Sequence, residues 1–404
     1  MKVMKLGDVV NLINGSTPSK TNKDYWENGD IPWFTVDDLR KQGKYISFTE
    51  KFITKLGLKE SSISLIPENA ILLCCTASVG AIAINKIRLT TNQQFNALVV
   101  KNTDQLLVEY LYYWFLANMD TLKSLGRATT IDYVSMSKLR EMNLQLPSLD
   151  EQLEIVEKLD NAFAEIDLLE ENLGYRISAT EKLQESLLAS FFDLDEDEVT
   201  KDYSFHSLGS VSLVKGGKRL PKGTKWSPTP TKYPYIRVTD MKLGRINEDN
   251  LVFVPDEIRP LIKNYTVNAG DVIISIAGTI GEVAVVPESL DKASLTENAA
   301  KIILQKEKLD SAYCSYFLRS PVCRREIDSL VRTTTQPKLA LFRIESLRIP
   351  IPPIKRQHEI VNSLQNGFSE IELLRLRFKM EKDLTVSLRQ SFLSRAFTSE
   401  EAVA

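Results

Sequence analysis

Residues 146–160 read LPSLDEQLEIVEKLD and residues 351–365 read IPPIKRQHEIVNSLQ, so Pro147 aligns with Pro352 and Gln152 with Gln357 at a constant offset of 205. In both copies a proline-containing head leads into apolar residues at alternating steps of three and four, the spacing of a helix with one apolar seam. The first seam runs through Val156, Leu159, Phe163, Ile166, Leu173, Ile177, Leu187 and Phe191, the second through Val361, Leu364, Phe368, Ile371, Phe378 and Phe392. Proline is expected in the first turn of each helix, where a missing N–H costs least. Glu170, Arg375 and Lys382 fall on seam positions that should be apolar. Such residues either pair across two helices and fix their register or reach out to water.

Outward from these helices the doubling continues. LGD at Leu6 matches LGS at Leu208, IPWFTVDDL at Ile31 matches YPYIRVTDM at Tyr233, and AILLCCTASVG ending at Gly80 matches DVIISIAGTIG ending at Gly281. Short β-rich runs (AILLCC, AIAI; DVIISIAG, EVAVV, KIILQ) precede a helical stretch, VEYLYYWFLANMDTLKSL or SAYCSYFLRSPVCRREIDSL. Each half therefore reads as an α+β domain followed by a long helix. The expected boundaries are a first domain over 1–149, a helix over 150–192, an acidic linker over 193–202, a second domain over 203–353 and a second helix over 354–404. Phe191 lies roughly 53 Å beyond Val156 along a helix, whereas the linker reaches at most about 35 Å. An antiparallel helix pair, with the domains at opposite ends and an approximate two-fold axis, follows as the expected arrangement.

The chain has 404 residues, a formal net charge of −2, 43% hydrophobic and 26% charged residues, all ordinary for a globular protein. Its two histidines and four cysteines have no zinc-ligand spacing, and Cys74 and Cys75 sit in an apolar strand. A reducing, cytoplasmic setting is expected. MKVMKLGDVV contains neither a long apolar segment nor a cleavage site, and no apolar run is long enough to span a membrane. No P-loop, GxGxxG, GxSxG or NPPY-type motif occurs.

The ordered, doubled set of a GSTPSK opening (Gly15 to Lys20), an IPW motif (Ile31 to Trp33), a T-x-S-x-G turn (Thr76 to Gly80), the LPSLDEQ and IPPIKRQ heads and the closing SLRQSFLSRAF (Ser387 to Phe397) resembles the specificity subunit of type I restriction-modification enzymes. The resemblance covers nearly the whole chain. It implies two target-recognition domains, each reading one half of a bipartite, asymmetric site in double-stranded DNA, and helices that space them and dock two modification subunits and two restriction subunits. It implies no catalysis and no bound cofactor in this chain: S-adenosylmethionine, ATP and Mg belong to the partner subunits, and no membrane is involved. The tetrapeptide repeats that some relatives carry before the second domain are replaced here by an acidic linker.

Phosphate contacts supply affinity and groove contacts supply sequence choice. In the second domain Lys215, Lys218, Arg219, Lys222 and Lys225 surround Gly216, Gly217 and Gly223, so cations sit on a backbone able to approach a phosphate. The matching segment of the first domain offers Ser16, Thr17, Lys20 and Lys23. Later come GRATTIDYV, with Arg127, Thr129, Thr130 and Tyr133, and VRTTTQPKL, with Arg332, Thr333, Thr334, Gln336 and Lys338. Hydroxyls, Gln and Arg suit base edges. Thr35, Asp37 and Asp38 in the first domain and Arg237, Thr239 and Asp240 in the second are further groove candidates, and Thr76 to Gly80 and Ala277 to Gly281 are expected to be tight strand-to-strand turns. Two half-sites about one helical turn apart, roughly 34 Å, would let both domains approach one face of the duplex. The alternative is a two-headed coiled-coil scaffold that does not act on DNA.

Overall fold

The computed structural model describes residues 2–76, 79–126, 133–194, 203–331 and 337–397. It divides into two compact units, Met1–Leu173 with Met380–Ala404, and Gly174–Lys379. Each unit holds one globular domain and a stretch of both long helices, Leu149–Phe192 and Ile354–Phe397.

In the first unit the strand ILLC (Ile71–Cys74) is buried on both faces, which is why it shows no polar alternation. Ile71 and Leu73 pack with Tyr110, Leu111, Tyr113 and Phe115 of a helix, while Leu72 and Cys74 turn to the other side against Phe34, Ile46 and Phe95. Each such side chain, fully buried, contributes about 1.5–3 kcal/mol. The main sheet runs Val10–Asn14, Phe95–Val100, Ile71–Cys74, Ile82–Asn85, Tyr45–Ile46, antiparallel except for the last pair. A smaller sheet places Ile31–Phe34 between Lys51–Ile53 and Thr90–Thr91. The domain's ends are tied by Lys2–Lys5 against Asn143–Leu146.

The second unit repeats this plan. Its main sheet runs Ser212–Gly216, Ala299–Leu304, Val272–Ser275, Val283–Val285, and its smaller sheet places Pro234–Ile236 between Val252–Phe253 and Ser294–Leu295. Ser204–Ser207 pairs with Arg348–Ile351. The α+β class expected from the sequence is the one found, with two differences of detail. Each single helical stretch is two helices: Val108–Ala117 and Met119–Gly126 in the first unit, Ser311–Arg319 and Pro321–Leu330 in the second. In the second unit Pro321 cannot continue the preceding helix, and Ser320 caps the new one by accepting from the Cys323 amide. The prolines at the heads of the long helices also lie just before the first helical residue. Ser148 and Glu151 form a capping box there in the first copy.

Within each unit the two helical stretches run antiparallel. In the first, Leu393 joins Val156 and Leu159 in the core, the Phe397 ring lies 5.3 Å from Tyr110, and Thr385 Oγ1 donates to Glu170 at 2.7 Å. In the second, Leu188 and Phe192 pack with Ile360, Val361 and Leu364, and the Arg176 guanidinium lies 5.6 Å from the Phe378 ring. The buried residues near the helix ends are Leu188, Phe192 and Leu393, one position beyond the Leu187, Phe191 and Phe392 of the heptad frame. A 3.6-residue helix drifts by about 20° per heptad against a 3.5-residue frame, so after five heptads the inward position moves by one residue.

Of the three residues that interrupt the seam, Glu170 pairs across it, accepting from Thr385 and, at 3.3 Å, from Arg389 Nε. Arg389 also binds Asp167 and lies 5.1 Å over the Phe163 ring. Burial pushes the Glu170 carboxyl up, but Thr385, Arg389 and Lys382 together hold it below its ordinary value. Arg375 pairs instead with Glu372 on its own helix. All four cysteines are buried and free, and burial pushes the Cys75 thiol up to about 11, so it packs as a hydrophobe.

Candidate nucleic-acid interface

The segments singled out for recognition leave the same end of the main sheet. In the second unit that end is made by Gly216 opposite Ala300, Ser275 opposite Ala299, and Ile274 opposite Val283. The basic loop follows Gly216, the 276–282 turn follows Ser275, and the late loop returns to the turn through a bridge between Ala277 and Lys338 and a bond from Leu339 N to Ile276 O at 2.9 Å. The first unit has the same arrangement. Asn14 lies opposite Asn96, Cys74 opposite Phe95, and Leu73 opposite Ile82, while Tyr133 bridges Thr76 and Val134 N donates to Cys75 O at 3.0 Å. Gly80 and Gly281 have φ of 96° and 87°, as the expected tight turns require.

Gly217 and Gly15 are required by the protein's own backbone, whereas a Cβ on Gly216 or Gly223 would meet no backbone within 4 Å. A Cβ on Gly217 would lie 2.0 Å from Thr296 O, and one on Gly15 would lie 2.0 Å from Asn92 O. Gly217 N donates to Ala299 O and Lys218 N to Leu295 O; Gly15 N donates to Phe95 O and Ser16 N to Thr91 O. Even the next contact is kept: Tyr235 Oη donates to Lys218 O at 2.9 Å, and Trp33 Nε1 to Ser16 O at 3.2 Å. With the backbone pinned in this way, Lys215, Lys218, Lys222 and Lys225 stand exposed. Arg219, read from the sequence as one of an unopposed cationic set, is bound by Glu297. Burial raises the Glu297 carboxyl, but its own backbone amide and Arg219 bring it below the ordinary range. Nothing local in the sequence marks Glu297, because it lies 78 residues on, in the turn that enters the neighbouring strand Ala299–Leu304.

In the first unit Thr17 donates to Gln93 where Arg219 binds Glu297. Ser16 and Thr17 are partly buried, Lys20 is exposed, and Lys23 pairs with Glu27 at 3.7 Å. Tyr133 and Lys338 are both exposed at the described ends of the late loops. Arg127, Thr129, Thr130, Arg332, Thr333, Thr334 and Gln336 lie outside the described residues.

Four of the remaining candidates hold their own turns. Thr35 is buried, and its amide and hydroxyl both donate to Asp38 Oδ2, at 2.8 and 2.9 Å. The Arg237 amide makes the same bond to Asp240 Oδ2 at 2.8 Å, and its guanidinium grips both Asp240 oxygens and Asn250 O. The bond to Asp240 raises the guanidinium pKa further, so Arg237 stays cationic with most of its donors occupied. Thr239 is exposed.

The long helices carry a second repeated surface. Leu168 and Leu373 are 67% and 66% exposed and Tyr175 and Met380 68% and 66%; Leu169 with Leu374 and Leu183 with Leu388 are also exposed. The members of each pair are one sequence repeat apart. One member of every pair falls in each unit: Leu168, Leu169, Met380 and Leu388 in the first, and Leu373, Leu374, Tyr175 and Leu183 in the second.

An α+β domain present twice, with hydroxyl-bearing or cationic loops gathered at one sheet end and a long helix after each copy, defines a duplicated recognition module. Residues 1–175 and again 200–379 match the family model for the type I restriction modification DNA specificity domain, and the chain belongs to that family. It is 30% identical over 387 residues to the type I restriction enzyme MjaIX specificity subunit of Methanocaldococcus jannaschii, covering 90% of this chain and 86% of that protein. It is 24% identical to the EcoprrI specificity subunit of Escherichia coli, over 91% and 89% of the two chains. Among solved structures, a chain from work on complex assembly and conformational transition of the type I R-M system superposes with a TM-score of 0.75 at 17% identity, covering 99% of this chain and 98% of that one. The HsdS subunit from Thermoanaerobacter tengcongensis gives 0.59 at 16% identity, over 98% and 96%.

Proposed function

We propose that this chain is the DNA-reading subunit of a type I restriction-modification system and that each unit reads one half of a bipartite site. The observation that carries this reading is that described parts of three segments far apart in sequence meet at the same end of the main sheet: Gly15–Ser16, Thr76 and Tyr133–Val134 in one unit, and Gly217–Lys218, Ala277 and Lys338–Leu339 in the other. The globular domains, 1–149 and 203–353, are the reading heads. The helices Leu149–Phe192 and Ile354–Phe397 set the gap, with 193–202 as the linker. The repeated apolar positions support docking of two copies of one partner, the modification subunit, since equivalent surfaces accept equivalent partners. The largest of these side chains would be the anchors.

In this reading methyl transfer from S-adenosylmethionine resides on the modification subunits, and ATP- and Mg-dependent translocation and cleavage on two restriction subunits. This chain contributes orientation and sequence choice in the cytoplasm. Among the described residues no helix is long and apolar enough to cross a membrane, and no group of three or more His, Cys, Asp or Glu side chains could hold a metal.

The test is methylome sequencing of a host that expresses this chain with its modification partner. One split motif of fixed gap is the expected result, and a seven-residue insertion in both helices should change the gap while leaving both half-sites intact. An undivided motif, or an insertion that changes the bases read, would overturn the reading.

A further inference from the structure

We propose that the two units carry unequal electrostatic loads, the second unit serving as the main phosphate anchor and the first contributing less of the attraction. This deepens the DNA-reading assignment and rests on it. The two loops leave the sheet along the same backbone path, as the matched bonds at Gly15–Ser16 and Gly217–Lys218 show, so the side chains at their start compare position by position. Ile13, Ser16 and Thr17 in the first unit stand where Lys215, Lys218 and Arg219 stand in the second, and Tyr133 stands where Lys338 stands.

Pairing widens the difference. Of the second-unit cations, Arg219 is neutralised by Glu297. Lys215, Lys218, Lys222, Lys225 and Lys338 form no ion pair among the described residues. Lys218 lies 5.7 Å from the Tyr265 ring, a contact that leaves its charge in place. Asp256 and Glu257 line a cleft of about 820 Å³ with Lys222 and Lys225, and neither reaches ion-pair distance of them. Among the described candidates of the first unit Lys23 is engaged by Glu27, which leaves Lys20, with Arg127 outside the described residues.

The imbalance is not confined to the loop. Residues 203–353 contain 22 Lys and Arg against 15 Asp and Glu, and residues 1–149 contain 17 against 14. Both domains are therefore cationic although the chain as a whole is at −2. Because the charge of duplex DNA acts through counterion release, each phosphate neutralised adds about 0.9 to the slope of log K against log salt. The four lysines Lys215, Lys218, Lys222 and Lys225, if each meets a phosphate, account for a slope of about 3.6, and Lys20 for about 0.9. The second unit would then hold non-specific duplex while the first samples sequence.

The experiment measures binding of the full chain, assembled with its modification subunit, to a fluorescent duplex carrying the methylated motif, between 50 and 300 mM KCl. The quadruple variant K215Q/K218Q/K222Q/K225Q should lower the slope by about 2–3.6 and weaken non-specific duplex as much as the motif, whereas K20Q/K23Q should lower it by about 1 or less. Circular dichroism melting curves should be unchanged, since all six side chains are exposed. Equal slope losses for the two variants, or a larger loss for K20Q/K23Q, would overturn the unequal load while leaving DNA reading intact. Salt-independent binding by the wild-type assembly would remove both.

Discussion

Gln357 is fully buried at the head of the second long helix, and all of its side-chain polar atoms are used. Oε1 accepts from the Asp310 amide at 2.8 Å, and Nε2 donates to Lys308 O and Pro352 O, both at 2.8 Å. Gln357→Leu keeps most of the volume and removes three hydrogen bonds in the interior. At about 1 kcal/mol net for each buried hydrogen bond, and up to about 1.7 kcal/mol where the partner is left unpaired, the three bonds give a loss of about 3–5 kcal/mol. The damage should be local. Asp310 caps the helix Ser311–Arg319 through the Tyr313 amide, and that helix places Tyr313 and Phe317 in the unit's core. For a unit of about 200 residues, 1 kcal/mol is about 2–4 °C, which places the drop in its melting temperature at about 6–20 °C. Calorimetry read together with hydrogen exchange by mass spectrometry should show faster exchange over 305–318 and none of this over the matching 102–115 of the first unit. Gln152→Leu should do the reverse, because Gln152 makes the same three bonds to Leu107 N, Gln105 O and Pro147 O. A midpoint shift below about 2 °C with unchanged exchange at 308–311 would refute the argument.

Gly174 lies inside the first long helix with nothing within 4 Å of a built Cβ, so Gly174→Ala should stabilise by about 0.8–1 kcal/mol in denaturant unfolding. Gly217→Ala should instead unfold the second unit or lower its midpoint sharply, since its Cβ would meet backbone oxygen; a neutral result would disprove the tight crossing. Glu170 has a carboxyl pKa depressed below 4.5, so its contribution is present at neutral pH and lost as pH falls through the lowered value. Glu170→Gln should therefore flatten the acid limb of a stability–pH curve below about pH 4.5 and do so less at high salt. Lys44, only 19% exposed along its side chain, is held by Asp160 and by the Tyr113 ring at 4.5 Å. Asp160→Asn should cost about 1–2 kcal/mol in unfolding of the first unit, between the values for exposed and buried pairs, and an unchanged midpoint would count against the pair.

Periodicity made the fold class readable because apolar residues that face a core must repeat with the geometry of their element. ILLC and VIIS announce buried strands, and the step of three and four announces the long helices. The offset of one residue at Phe192 and Leu393 escaped that reading because a heptad frame carries no memory of the drift of a straight helix. The loops were legible as positions but not as contacts. Lys215 to Lys225 are cationic wherever the chain goes, yet only the fold brings Glu297 to Arg219 and assigns Thr35 and Arg237 to their capping carboxylates. The same limit hid the reason for the LPSLDEQ and IPPIKRQ heads, since the groups that Gln152 and Gln357 satisfy are backbone atoms, which have no letter in a sequence.

That last point also separates what the two repeats share from what they do not. Where a residue serves backbone, it is kept or replaced by a functional equal: Gln152 and Gln357 at the helix heads, Gly15 and Gly217 at the crossing, Trp33 and Tyr235 donating to the equivalent carbonyls of Ser16 and Lys218. Where side chain meets side chain, only the place is kept. Thr17 with Gln93 becomes Arg219 with Glu297, and Phe163 beneath Arg389 becomes Phe368 beneath Arg319 and stacked on Tyr316. Backbone demands are the same for every sequence that adopts the fold, because each buried N–H and C=O must find a partner. Side-chain pairs answer only to one another, so they can be exchanged together without disturbing the sheet end that holds them. A surface built in this way can change what it touches while the scaffold under it stays constant, which is the physical requirement for reading two different half-sites with one fold.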